Sequence, residues 1–429
     1  MRKIINPKQE QWQELVKRPT KNLEELEPGI LQTFKLVQER RDAALLELAE
    51  KYDGVKLQGL LATEEEFAEA ESKLSWELKE AILQAYSNIQ VFHTQQAEHV
   101  KQVETMPGVT CWRKSVAIEK VGLYVPGGTA PLFSTLLMLG VPARIAGCKE
   151  LVLCTPPSKD GTVHPAILYT ASLLGVNRVV KAGGAQAVAA LAFGTETVPA
   201  VYKIFGPGNQ YVTVAKQLVS KAGVAIDLPA GPSEVLVMAD DSANPAFVAA
   251  DLLSQAEHGA DSQVVLLTNS EKLLQKVEQE LEAQLAVLPR REFAQKALDN
   301  SLGILMESVA EMMDFSNLYA PEHLILSILN FEEAIDSITN AGSVFLGNYS
   351  PESAGDYASG TNHTLPTNGY ARAYSGVSLD SFVKKITFQY ITPEGLQQIG
   401  STIETMAAAE GLEAHKNAVS IRLKEVNRV

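Results

Sequence analysis

The spacing of apolar positions changes near residue 120. Before it, they recur at helical intervals: Leu31-Gln-Thr-Phe-Lys-Leu-Val37 runs on through Ala43 to Tyr52, Thr63-Glu-Glu-Glu opens another helix, and Trp76 to Val100 predicts a long one. From Val121 onward, short apolar runs alternate with helical stretches. Strands are predicted at 121–125, 151–155, 178–181 and 201–205, with helices at 132–145, 166–174, 186–193 and 210–221 between them. After a Pro/Gly elbow, Pro229-Ala-Gly-Pro232, the alternation resumes, with strands at 235–239, 263–268, 303–306, 323–327 and 344–346 and helices at 244–258, 271–286 and 331–340. A last strand, 383–391, precedes helical segments at 393–406 and 412–423.

Strands alternating with helices build parallel sheets covered on both faces. The expected fold is therefore α/β: two Rossmann-like βα domains with parallel sheets, a helical N-terminal region and a small helical C-terminal tail. The expected boundaries are 1–105, 106–233, 234–375 and 376–429, with a ligand cleft between the two βα domains. The tail has little core of its own, so it is expected to dock elsewhere, a partner subunit being one option.

The densest stretch is Ile226 to His258. Asn244 can cap a helix whose first turn accepts Pro245. On that helix Gln255 and His258 are three apart and share a face, which could serve as half of a metal site; the alternative is ordinary polar surface.

Composition narrows the function. The 429 residues are 46% hydrophobic, and a net charge of −14 with no clustered Lys/Arg run argues against nucleic acid. The N-terminal MRKIINPKQEQWQELV lacks a signal-peptide apolar core, and the most apolar stretch, 130–147, is short and broken by Pro131, Pro142 and Arg144, so neither export nor a membrane span is expected. Cys111, Cys148 and Cys154 form no CxxC and read as buried thiols of a reducing, cytoplasmic compartment. Any metal would then have N and O ligands. His93 and His99, six apart, read as packing or surface residues.

Candidate chemistry lies at the strand ends. Glycine turns at Pro126-Gly-Gly-Thr129, Ala182-Gly-Gly-Ala185 and Phe205-Gly-Pro-Gly-Asn209 each follow a strand and precede a helix, where backbone N–H groups favour phosphate or carboxylate. None is a complete GxGxxG, so a dinucleotide site and plain tight turns both remain open. The polar loop 355–366 carries Asp356, a hard oxygen donor or a turn-former, and His363. Glu322-His323 opens an apolar strand and could act as an acid/base pair, although strand ends are often polar anyway. Glu410 and His415 flank Gly411, and five residues along an unbroken helix would set them roughly 140° apart. They can face one site only if the helix breaks at Gly411; otherwise they belong to a solvated tail.

Taken together, IDLPAGPSEVLVMAD, LLSQAEHGADSQ, APEHL, SAGDYASGTNHTLPT and AEGLEAHKNAV resemble the histidinol dehydrogenase family over nearly the whole chain. One departure is Arg41 in VQERRDAAL, where glycine is expected. The resemblance implies zinc held by Gln255, His258, Asp356 and His415, the last donated by the other subunit of a homodimer. It implies that Glu322 and His323 are the acid/base residues. Substrate would be held by Ser233, His363 and Glu410 together with the zinc ligands and His323, and NAD would be contacted by Tyr124, Gln186 and Asn209. The reaction implied is NAD-linked, four-electron oxidation of L-histidinol to L-histidine through L-histidinaldehyde, the last step of histidine biosynthesis. An N/O donor set accepts Zn or Mn alike. Two rival readings of the same residues are a zinc hydrolase with Glu322 as base and a non-catalytic binding protein closing over a small ligand.

Overall fold

The computed structural model describes residues 1–19, 23–127, 131–229 and 231–427. Gly128 and Thr129 of the first glycine turn and Ala230 of the elbow lie outside the described residues. The chain divides into two compact units, Met1–Gln96 with Ile118–Phe382, and Ala97–Ala117 with Val383–Val429.

The first unit holds two wholly parallel sheets. One has five strands in the order Arg178–Lys181, Glu150–Thr155, Lys120–Tyr124, Lys203–Phe205, Ala225–Ile226. The chain winds outward from Lys120–Tyr124 in both directions, so the switch point lies at the carboxyl ends of that strand and Lys203–Phe205. The backbones meet closely there: Gly206 has φ +133°, and a Cβ at this position would overlap the Tyr124 carbonyl oxygen. Only glycine fits. The apolar stretch at 130–147 forms the helix Phe133–Ala146, buried without a break from Ser134 to Ala143. A helix apolar all round belongs inside a core.

The other sheet has six strands, ordered Arg2–Ile5, Leu302–Leu305, Gln263–Thr268, Glu234–Ala239, His323–Ser327, Ser343–Leu346. Its central strand, Glu234–Ala239, is buried throughout, as a strand covered on both faces should be. Arg2–Ile5 corrects the helical reading of the N-terminus. This four-residue edge strand is stabilised by pairing with Leu302–Leu305, which local periodicity cannot reveal. The helix expected at 331–340 is only Phe331–Ala334 followed by a 3-10 turn at Ile335–Ser337, and helices also form at Arg291–Asp299, Val309–Tyr319 and Glu352–Tyr357.

In the second unit, Val383–Ile391 pairs antiparallel along its whole length with Val109–Ala117, which also pairs with Gln102–Met106. Trp112 and Phe388 stack across the pair with ring centroids 5.4 Å apart. Two helices follow, Pro393–Ala409 and Glu413–Val426, separated by Gly411 at φ +72°. The tail helix therefore breaks at Gly411, the condition under which Glu410 and His415 could face one site. No helix among the described residues is long and apolar enough to cross a membrane.

Arg41 interrupts the helix Glu27–Leu48 with φ 49° and ψ −124°, a conformation suited to glycine. Holding a side chain there costs on the order of 1–3 kcal/mol. Arg41→Gly is expected to raise unfolding stability by about 1 kcal/mol after glycine's extra chain entropy is counted. Chemical denaturation measures it, and a midpoint at or below that of the parent would contradict the strain.

Candidate active site

A cleft of about 400 Å³ opens between the two sheets of the first unit. The first sheet contributes residues that follow its strands, among them Pro126, Pro207 and Asn209. The second contributes residues just before or at the starts of its strands: Ser233, Glu322 and His323. Carboxyl ends of one sheet thus face amino ends of the other. In the second sheet the polar groups lie opposite to the usual carboxyl-end rule for open α/β sheets.

Glu322 and His323 reach the cleft through a sharp turn. The helix Val309–Tyr319 stops at Ala320, which adopts the left-handed conformation (φ 53°, ψ 66°), and Pro321 starts the turn into the strand. Both side chains then bond to one residue. Glu322 Oε2 accepts the backbone N–H of Glu234 at 2.8 Å, and His323 Nδ1 lies 3.1 Å from the Glu234 carbonyl oxygen. A carbonyl only accepts, so Nδ1 carries the proton in this bond and Nε2 points away. Nε2 is buried without a hydrogen-bond partner, 3.7 Å from Asp356 Oδ1.

The helix Pro245–Ala256 begins as expected, with Asn244 Oδ1 accepting Ala246 N–H at 3.0 Å. It ends two residues before His258, so the expected shared helical face is corrected in detail. The two residues stay together through a last turn in which His258 N–H reaches the Gln255 carbonyl at 3.3 Å. Gln255 is buried; with its amide assigned so that the nitrogen faces the Glu352 carboxylate, its oxygen can accept Glu234 N–H at 3.2 Å. His258, Glu352 and Asp356 each present a donor atom, all within 4.8 Å of one another.

Asp356 lies on the short helix Glu352–Tyr357 rather than in an irregular loop. Its backbone carbonyl accepts His363 Nδ1–H at 2.9 Å, while His363 Nε2 sits 3.1 Å from the Thr135 hydroxyl. Burial holds His363 below the usual imidazole range, consistent with a neutral ring that donates at one nitrogen and accepts at the other.

Carboxylates crowd this cleft. Burial pushes Glu322 up to about 8, and the charges of Glu234 and Asp356 add to the rise against the pull of His323 and the Glu234 N–H. Glu352 is raised well above the ordinary carboxylate value, again chiefly by burial. Burial alone would lower His323, but Glu352, Glu322 and Asp356 outweigh it and raise the ring to about 10. Asp356 is held low despite its burial by the three histidines His323, His363 and His258. The His258 ring, the Asp356 and Glu352 carboxylates and the buried Gln255 amide beside them form an N/O donor set that fits a divalent cation, with the orphaned His323 Nε2 facing it.

Gln255, His258, Asp356, Glu322, His323, Ser233, His363 and Asn209 all line this one cleft. Tyr124 and Gln186 are buried in the first sheet's layer, where Tyr124 Oη accepts Gly184 N–H at 3.0 Å. Glu410 and His415 belong to the second unit, exposed on either side of Gly411. Glu352 and Glu234 were not singled out in the sequence. Glu352 did leave a trace, standing four residues before Asp356 on what proves to be one helix.

A doubly wound α/β chain with a buried Glu–His pair beside a group of side chains that could hold a cation defines a class, the α/β enzymes that work in a cleft between two sheets. The family described as histidinol dehydrogenase matches residues 16–423. A histidinol dehydrogenase of Bacteroides thetaiotaomicron is 62% identical over 423 residues, 99% of both chains, and the chloroplastic one of Arabidopsis thaliana is 55% identical over 91% of this chain and 84% of its own. The crystal structure of histidinol dehydrogenase from Elizabethkingia anophelis superposes with a TM-score of 0.98 at 57% identity, covering 100% of this chain and 99% of that one. The chain belongs to the histidinol dehydrogenase family, and it is an oxidoreductase.

Proposed function

We propose that the protein oxidises L-histidinol to L-histidine in the cytoplasm, through L-histidinaldehyde, using zinc and two NAD in succession. The observation that carries this reading is the Glu322–His323 pair, tied to one residue and facing the donor set. In the first oxidation His323 Nε2 takes the alcohol proton as hydride leaves the carbon. In the second, Glu322 draws a proton from water adding to the aldehyde, and the resulting hydrate loses hydride. NAD, when bound, supplies the hydride acceptor; its expected contacts are Asn209, which lines the cleft, with Tyr124 and Gln186. Gln255, His258, Asp356 and a partner's His415 would hold the cation, whose positive charge anchors substrate nitrogen and offsets the carboxylates that keep a proton on His323. Ser233, His363 and Glu410 complete the substrate contacts, and holding the substrate at one site through both oxidations retains the reactive aldehyde between steps.

The test is an absorbance assay for NADH with L-histidinol on protein of known metal content. Two NADH per histidinol support the reading; hydrolysis of an amide without NADH would replace it with a hydrolase.

The segments 1–105, 106–233, 234–375 and 376–429 are our proposed functional division, the last crossing to a second copy in a homodimer. The break at Gly411 supports it by freeing Glu410 and His415 from the opposed faces of a continuous helix. Mixing His415→Ala subunits with Glu322→Gln subunits is expected to restore activity, since one cleft of each heterodimer would be intact. Activity no higher than that of either parent would count against a shared site.

A further inference from the structure

Resting on the acid/base reading above, we propose that Arg18 is a positioning residue for the Glu322–His323 pair, acting through Glu234. Arg18 and Glu234 are 216 residues apart, and both side chains are buried. Arg18 Nε donates to Glu234 Oε1 at 3.0 Å and Nη2 to Oε2 at 2.9 Å, a two-pronged pairing that fixes orientation as well as distance. Glu234 Oε1 also accepts the backbone N–H of Asn368 at 2.7 Å. With its side chain held at three points, the main chain of residue 234 presents its N–H to Glu322 and its carbonyl to His323.

The same guanidinium holds the other side of the pair. Nη2 donates to the Tyr319 carbonyl at 2.6 Å, and the guanidinium carbon lies 3.5 Å from the Tyr319 ring centroid. Tyr319 ends the helix immediately before the strained Ala320 turn that aims Glu322 and His323. Strained backbone persists only where its surroundings hold it. Here the parallel ladder between Glu234–Ala239 and His323–Ser327 is only beginning, with His323 opposite Val235. Arg18 joins the two strand starts where the ladder has no earlier rung. Arg18 itself is not among the residues that line the cleft; its effect passes through the backbone positions it fixes.

A merely structural ion pair would be replaceable by any neutral pair that folds, whereas a positioning pair would not. The test compares Arg18→Lys, Arg18→Ala and the double variant Arg18→Met with Glu234→Gln, which leaves no buried charge unpaired. In variants with parental thermal midpoints, KM for L-histidinol is expected to stay near the parent's. Their kcat should fall about 10–100-fold, the scale on which displaced supports act. Millimolar guanidinium should restore part of the kcat of Arg18→Ala. Parental kcat in the folded double variant would overturn the proposal, as would a loss confined to KM. Glu322→Gln in the same assay separates the two levels: if that change leaves aldehyde oxidation intact, the acid/base reading fails, whatever Arg18 does.

Discussion

Replacing Glu322 by glutamine should stop the enzyme halfway: hydride removal from L-histidinol persists in a single turnover, while oxidation of L-histidinaldehyde falls by roughly 10²–10⁴, the worth of a positioned general base. The amide keeps the volume of the carboxyl and cannot take the proton of the attacking water. The effect has a pH signature. With the carboxyl pushed up to about 8, mainly by burial, it is protonated and inactive as a base well below that pH. Aldehyde oxidation should therefore rise as pH increases through about 8 and level off above it, and Glu322→Gln should abolish the rise. Rapid-mixing measurement of NADH formed from L-histidinaldehyde across this range is the direct check. Equal loss of both oxidations would show that the two residues do not divide the proton work.

Asp356→Ala should cost more than the roughly 10–100-fold in cation affinity typical of changes around a metal's outer shell, since it removes a charged donor itself. Asp356 is the carboxyl of the cluster held low, and its Oδ1 faces the orphaned His323 Nε2. The fold should tolerate the change, because His363 is anchored by the backbone carbonyl of residue 356 and not by its side chain. The expected result is a parental thermal midpoint in chelator-treated protein, together with zinc that a competing chelator strips far more readily. Parental zinc affinity in the variant would remove Asp356 from the donor set.

Much of the architecture is legible in short-range patterns. Buried strands such as Glu234–Ala239 and Gln263–Thr268 carry apolar runs at 235–239 and 264–267, and caps such as Asn244 mark where the following helix starts. Gly411 signals a break that the tail helices obey. Glu352 is not legible in the sequence because Gly355 and the polar residues after it read as loop, while packing makes 352–357 a helix turn that brings two carboxyls close to His258. The partnership of Arg18 with Glu234 left no local trace at all.

By itself, then, the order of residues determined the alternation of strand and helix, the glycine turns, and the residue types able to bind a cation and move protons. Folding in three dimensions decided that carboxyl ends of one sheet would face amino ends of the other, that Arg2–Ile5 would complete an edge, and that Glu234 would hold both Glu322 and His323. The reason is physical. Periodicity encodes which face of an element must be buried, whereas the partner that buries it, and the polar groups brought together there, depend on contacts closed across hundreds of residues.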